Sequence, residues 1–284
     1  MAESVLHSTL GRLVRHHDRD RFLTVLFAPA DRRQDLLALY GFNYEVAKTR
    51  EVVTEATLGE IRLQWWRDGI AAIYAGTPPH QHDVMQPLAA AIRGRNLSRE
   101  HFGGLIEARG IDLVGEPPAS LPALEAYAEA TSARLVWLAL EVLDQRGAVT
   151  TAAGRAAGIA YGLVGLLRAV PFHALAKRLY LPQDLCTAAG LRVERELFEL
   201  RSTPGLRQVV MQVATAAARH LDEARALRRT LPRAALPALL PAVLARADLA
   251  RLRRAGYDPF APRVAAHDPW RSWRLSLAAL AGRY

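Results

Sequence analysis

The chain has 284 residues, 51% of them hydrophobic, enough for one large or two ordinary domains with a sizeable buried core. That composition excludes a disordered chain, a collagen-like fibre and a small disulfide scaffold. Lys+Arg 37 against Asp+Glu 28 leaves a formal charge of +9, carried almost wholly by arginine because Lys48 and Lys177 are the only lysines, so anionic partners come into view.

The lone cysteine, Cys186, has no mate for an internal disulfide, which makes a cytoplasmic setting the expectation. Met1 to Arg21 mixes His and Asp with apolar residues, and neither a secretory nor a transit signal is expected there. The mid-chain apolar run from Ala156 stops at Arg168, short of the roughly 20 residues a spanning helix needs.

Strand-like alternation is almost absent, whereas Ala, Leu, Arg and Glu recur at helical spacing, so the chain reads as all-α. A first clear helix is predicted from Asp31, as N-cap after Pro29, to about Val53. A second starts at Thr57, whose spacing to Glu60 is that of a capping box, and runs to Tyr74 before Gly76-Thr-Pro-Pro79. Further helices are predicted around Gln86–Arg93, Arg99–Val114, Leu121–Leu143, Thr151–Val170, Pro204–Arg229 and Leu236–Ala255, with a last one from about Pro269 to Arg283. Breaks are expected at Pro117-Pro118, Pro171, Pro182, Pro204, Pro232 and Pro259. No connection is long or Gly/Ser-rich enough to be an interdomain linker and no internal repeat is present, which predicts a single domain over 1–284 of about ten helices.

Zinc spacings, HExxH and phosphate-cradling glycine loops are all missing. The basic cluster Arg251, Arg253, Arg254 has the spacing of a solvated helix face, so no nucleic acid is expected as partner. Three acid pairs fall four residues apart: Asp31 with Asp35, Glu51 with Glu55, and Glu125 with Glu129. The first suits a helix start. The second straddles a predicted helix end and the third lies on an alanine-rich face, so none is a rigid platform for Mg²⁺. The stretch Ala156 to Arg168 carries Gly158, Gly162 and Gly165, each costing about 1 kcal/mol of helix propensity. Either close helix packing or room for an apolar ligand must offset that cost.

Three segments together resemble the squalene/phytoene synthase family, an all-helical isoprenoid synthase fold. They are Leu39-Tyr-Gly-Phe-Asn-Tyr44 with Glu60-Ile-Arg-Leu-Gln-Trp-Trp-Arg67 and Ile73-Tyr-Ala-Gly76; Ile111-Asp-Leu113; and Leu166-Leu-Arg168 through Arg178-Leu-Tyr-Leu-Pro182. Their order fits the family from about residue 20 to 190. The resemblance implies a helical bundle around a central cavity, prenyl diphosphate substrates, and Mg²⁺ held by two Asp-rich motifs. Here the first motif reads Ala47-Lys48-Thr49-Arg50-Glu51 and the second Ala169-Val170-Pro171-Phe172-His173. One acid is left and two cations are gained, so no metal and no cofactor is expected, with Mg²⁺ only if condensation survives.

Arg168, Arg178, Tyr180 and Asp112 match family positions near the diphosphate; Arg178 and Tyr180 also read as pins for the turn into Leu181-Pro182. Phe42-Asn43-Tyr44-Glu45-Val46 and Arg62-Leu63-Gln64-Trp65-Trp66 resemble a branch of the family that has lost both acid motifs and includes a phytoene-synthase-like complex I assembly factor. The resemblance implies a protein that binds an isoprenoid or other lipid and acts in binding or membrane-complex assembly. In that reading Lys48, Arg50, Arg168 and Arg178 form a basic rim beside Glu51. Phe42, Trp65, Trp66, Gly162 and Gly165 border the apolar tail. One alternative is an active prenyltransferase whose cations replace metal, with Arg168, His173 and Tyr180 as catalytic candidates. Another is a scaffold with a collapsed cavity whose C-terminal helix binds a protein partner, so that truncation after Pro269 abolishes association and leaves the fold intact.

The C-terminal segment repeats Trp270, Trp273, Leu277, Leu280 and Tyr284 at helical spacing beside Arg271, Arg274 and Arg283. Such a basic amphipathic helix over 269–284 either lies at a membrane surface or docks on its own domain. Peripheral contact with the inner face of a membrane, or with a protein complex, is therefore an expectation.

Overall fold

The computed structural model describes residues 5–266 and 268–284, and among them there is no strand. The α-helices in chain order are α1 Thr9–His17, α2 Arg19–Val25, α3 Arg33–Ala47, α4 Thr49–Val52, α5 Ala56–Tyr74, α6 Met85–Arg95, α7 Arg99–Val114, α8 Leu121–Ala128, α9 Arg134–Val142, α10 Ala148–Arg168, α11 Val170–Leu175, α12 Gln183–Ala188, α13 Pro204–Leu227, α14 Leu236–Leu239, α15 Pro241–Arg254, α16 Pro262–Ala265 and α17 Arg271–Leu280. The long helix α10 is the hub: α8, α9, α13 and α15 pack against it, while α5 lies on α7 and α3 on α6. One apolar core runs through this bundle, and a second small cluster of Leu240, Leu244 and Leu275 lies under α17.

Several helices are segmented where the sequence predicts continuous ones. The expected helix to Val53 stops at Ala47, where Lys48 folds back onto Glu45, and resumes as the single turn α4. Asp31 is not an N-cap: it lies in a short 3₁₀ turn and its carboxylate pairs with Arg32 Nε at 3.0 Å. The expected Thr57–Glu60 capping box is not formed either, because Glu55 is already the extended N-cap residue and α5 starts at Ala56. Pro241 lacks an N–H and so splits the expected Leu236–Ala255 helix into α14 and α15. Pro171, expected to break the chain, sits instead in the first turn of α11, where a missing N–H costs nothing.

Between α8 and α9 the chain makes a π-helical turn, Glu129–Ala133, facing the glycines of α10. A Cβ at Gly158 would overlap the Ala133 backbone, and one at Gly162 would press on Ser132 Cβ at 3.0 Å. Close packing therefore explains those two glycines. A Cβ at Gly165 would meet nothing within 4 Å.

At the C-terminus, Arg271 and Leu275 of α17 are buried, while Trp270 and Trp273 stay exposed. A chain truncated after Pro269 would uncover Leu240 and Leu244 and remove Arg271 from two carboxylates, so the expectation that it keeps its fold is corrected.

Candidate ligand cavity

The end of α7, the loop after it, α8, and the segment leading to Leu181 enclose a cavity of about 560 Å³. Its walls are mainly apolar, from Ala108, Ile111, Pro117, Pro118, Leu124, Ala126 and Leu179. Arg50, Asp112, Glu116, Tyr127, Arg178 and Tyr180 supply its polar groups. This is the composition expected of a small-molecule site: apolar walls with a few converging polar side chains.

Asp112 organises one wall. It is buried, and its carboxylate accepts from the Tyr127 hydroxyl at 2.8 Å, the Tyr180 hydroxyl at 3.1 Å and Arg109 Nη1 at 3.2 Å. Burial, and then the Asp112 charge, push both tyrosine hydroxyls well above their ordinary range, so both remain donors at neutral pH. With Arg109 beside it, Asp112 adds no net negative charge to the cavity.

Arg50 and Arg178 are the cations that line the cavity. Arg178 Nη2 donates to the carbonyl of Arg50 at 3.3 Å, which holds the two residues side by side. The Nε of Arg50 is buried with no hydrogen-bond partner. His173 stacks at 4.4 Å from Tyr180, and its buried Nδ1 likewise lacks a partner. Burial, then the Arg178 charge, push its pKa down to about 4, so it is neutral near pH 7.

Of the residues expected to bind a ligand, Arg50, Asp112, Arg178 and Tyr180 line this cavity, with His173 packed behind Tyr180. The others lie elsewhere. Phe42 and Trp66 are core residues, packed edge-on to one another at 5.4 Å, and Phe42 also meets Phe102 at 5.3 Å. Trp65 stacks on His80 at 4.9 Å. Lys48 is bound to Glu45 at 2.7 Å and lies over the Tyr44 ring, so it does not join a common rim with Arg178. Arg168 pairs with Asp20 and Asp248 near the C-terminal helix. Gly162 packs on the π turn, while Gly165 borders open space. The four-cation rim is thus corrected to two, Arg50 and Arg178.

Sequence reasoning missed Arg109 and Tyr127. A usable signal existed: Arg109 stands three residues before Asp112, an ion-pair spacing, and Tyr127 is a polar-tipped aromatic in an alanine-rich helix. It also missed Glu45, a buried carboxylate held by Lys48 and by Arg62 at 2.6 Å.

The donor chemistry does not fit the family's Mg²⁺ cluster. Around the first motif, Glu45 is already occupied by two cations and Glu51 is exposed on the single turn of α4; around the second, 169–173 offers no carboxylate. Hard Mg²⁺ requires several oxygen ligands in octahedral array. Among the described residues, no group of three or more His, Cys, Asp or Glu is placed to hold a metal ion.

The squalene/phytoene synthase family profile matches residues 14–277, well beyond the span of about 20 to 190 that the sequence segments cover. The NADH dehydrogenase (ubiquinone) complex I assembly factor 6 of Bos taurus is 34% identical over 250 residues, covering 88% of this chain and 74% of that protein, and its Homo sapiens counterpart is 32% identical over the same shares. In fold, the chain is similar to a squalene synthase from Alicyclobacillus acidocaldarius, with a TM-score of 0.78, 22% identity, and 91% and 96% of the two chains covered. A family profile matched from within α1 into α17, on an all-helical fold, means that the chain belongs to the squalene/phytoene synthase family.

Proposed function

We propose that this protein is a divergent squalene/phytoene synthase that binds an isoprenoid or other lipid with an anionic head group and works in the assembly of a membrane complex, without Mg²⁺-dependent head-to-head condensation. The observation that carries the reading is the pairing of Arg50 and Arg178 at the edge of an apolar cavity in which Arg109 neutralises the buried Asp112, leaving two guanidiniums against one exposed carboxylate, Glu116. Two guanidiniums favour an anion directly, whereas the synthases of the family need carboxylates to hold metal between enzyme and diphosphate.

The assembly side of the proposal rests on similarity. Relatives a third identical over most of the chain carry the name of a complex I assembly factor, and this protein is inferred to act on a membrane complex of that kind. His173, neutral and packed against Tyr180, and the two tyrosines, whose hydroxyls are committed to Asp112, shape the wall beside the arginines; no step of ionisation is assigned to them.

Incubation with farnesyl and geranylgeranyl diphosphate, with and without Mg²⁺, followed by product analysis and native mass spectrometry, tests the proposal. Retention of the intact diphosphate, indifferent to Mg²⁺ and weakened about tenfold or more by Arg178→Ala, is the expected result. Formation of a condensed product would establish a prenyltransferase instead.

A further inference from the structure

The charges and exposed apolar residues of the C-terminal third are distributed unevenly. No acid occurs from Ala224 to Ala247, and Asp268 is the only one from Pro259 to Tyr284; the same two stretches hold nine arginines, including Arg228, Arg233, Arg274 and Arg283. The fold brings the two stretches together. The Tyr284 hydroxyl donates to the Ala224 carbonyl at 2.8 Å, Gly282 abuts the Arg233 guanidinium, and Arg233 and Leu280 line one groove.

On this basic face α17 presents its largest apolar side chains to solvent. Trp270, Trp273, Leu277 and Leu280 are 61%, 62%, 60% and 80% exposed. At about 100° per residue they fall within an arc of about 80° on one side of the helix. Leu275, on the other side, is fully buried.

The roll of α17 is fixed from beneath. Arg271 reaches Asp20 through Nε at 2.8 Å and Nη2 at 2.6 Å, and Asp248 through Nη1 at 3.1 Å and Nη2 at 3.0 Å. A buried guanidinium bound to two carboxylates cannot rotate away without giving up four hydrogen bonds and becoming an unpaired buried charge. The tryptophans therefore cannot turn inward, and their exposure is a property of the docked helix.

We propose that this face is a docking surface for an anionic lipid bilayer, with Trp270, Trp273, Leu277 and Leu280 entering the head-group and acyl boundary and Arg233, Arg274 and Arg283 meeting lipid phosphates. Tryptophan at the interface, leucine below it and arginine beside it is the arrangement that holds a helix in the plane of a membrane. Charge selects the occupant: a face this poor in acids repels a second copy of itself and attracts an anionic surface. No helix among the described residues is long and apolar enough to cross a membrane, so the contact is peripheral. The proposal is independent of what the cavity binds.

Co-sedimentation of the full-length chain with phosphatidylcholine vesicles, with and without phosphatidylglycerol, provides the test. The chain is expected to sediment with the anionic vesicles, to be released by high salt, and to remain in solution with phosphatidylcholine alone. Because the side chains concerned are exposed and Arg233 and Arg283 make no ion pair among the described residues, W270S/W273S and R233E/R283E fold with unchanged thermal transitions and each lose about tenfold or more in vesicle affinity. Equal binding by either folded double variant, or no preference for the anionic vesicles, overturns the proposal. So does a dimer that W270S/W273S dissociates in the absence of lipid binding.

Discussion

The Tyr180 hydroxyl donates to Asp112 Oδ1 at 3.1 Å, joining the loop before Leu181 to the end of α7 across 68 residues of sequence. Asp112 also holds Tyr127 and Arg109, so this carboxylate fixes the shape of the cavity as well as its charge. Asp112→Ala leaves the largely buried Arg109 unpaired and is expected to cost about 3–5 kcal/mol in urea unfolding. Tyr180→Phe removes one hydrogen bond and should cost about 1 kcal/mol. Equal costs would mean that Asp112 is not the organising group.

Acid stability tests His173. In the folded chain its pKa is pushed down to about 4, from an ordinary value of 6.5, by burial and then by Arg178. Between these values the unfolded chain binds the proton and the folded chain does not, so this residue's effect is loss of stability as pH falls from 6.5 to 4. Its full size is on the order of 3 kcal/mol. Denaturant titrations across that window should show a flatter pH dependence for His173→Gln than for the unaltered chain.

The glycines of α10 give opposite expectations on one helix. Gly158→Ala forces a methyl into the backbone of the π turn and should destabilise by about 1–3 kcal/mol, with the damage spreading to the α8–α9 junction. Gly165→Ala meets open space and should stabilise by about 0.5–1 kcal/mol through helix propensity. Thermal melts of the two variants moving in the same direction would contradict the packing described for Gly158.

Arg271 ties α17 to α2 and α15 through Asp20 and Asp248, with Arg168 approaching the same two carboxylates at 3.5 and 3.2 Å. Arg271→Ala should cost about 3 kcal/mol. A double-mutant cycle with Asp248→Ala should return a coupling of about 1 kcal/mol or more. Because the groups are buried, that coupling should persist at high salt; its disappearance there would mean that the pair is solvated.

Much of this molecule is legible in its sequence. Helical periodicity and the scarcity of strand patterns establish an all-α chain, and three short segments carry the family resemblance that the fold and the profile match bear out. Helix ends were less legible. Thr57 and Glu60 have the spacing of a cap but lie inside a helix that starts earlier, because the conformation of Glu55, not the side chain of Thr57, begins the turn.

The cavity was partly legible. Arg50, Asp112, Arg178 and Tyr180 line one cavity, whereas Lys48 and Arg168 are drawn off by Glu45 and by Asp20 with Asp248. Sequence distance hides such competition: Asp20 and Asp248 lie far from Arg168 in the chain, and no local pattern announces that they meet it. The aromatic residues misled for a related reason. Phe42 and Trp66 have the character of pocket walls, but they fill the core between α3, α5 and α7.

The sequence by itself determined the helical class, the family, the loss of the acidic motifs and the surplus of arginine, all properties of composition and short-range order. Tertiary structure alone decided which arginines face a cavity and which are spent on buried carboxylates, and that the tryptophans of α17 point outward. Those outcomes depend on contacts between residues far apart in the chain, where a single buried ion pair such as Arg271 with Asp20 sets the orientation of an entire helix.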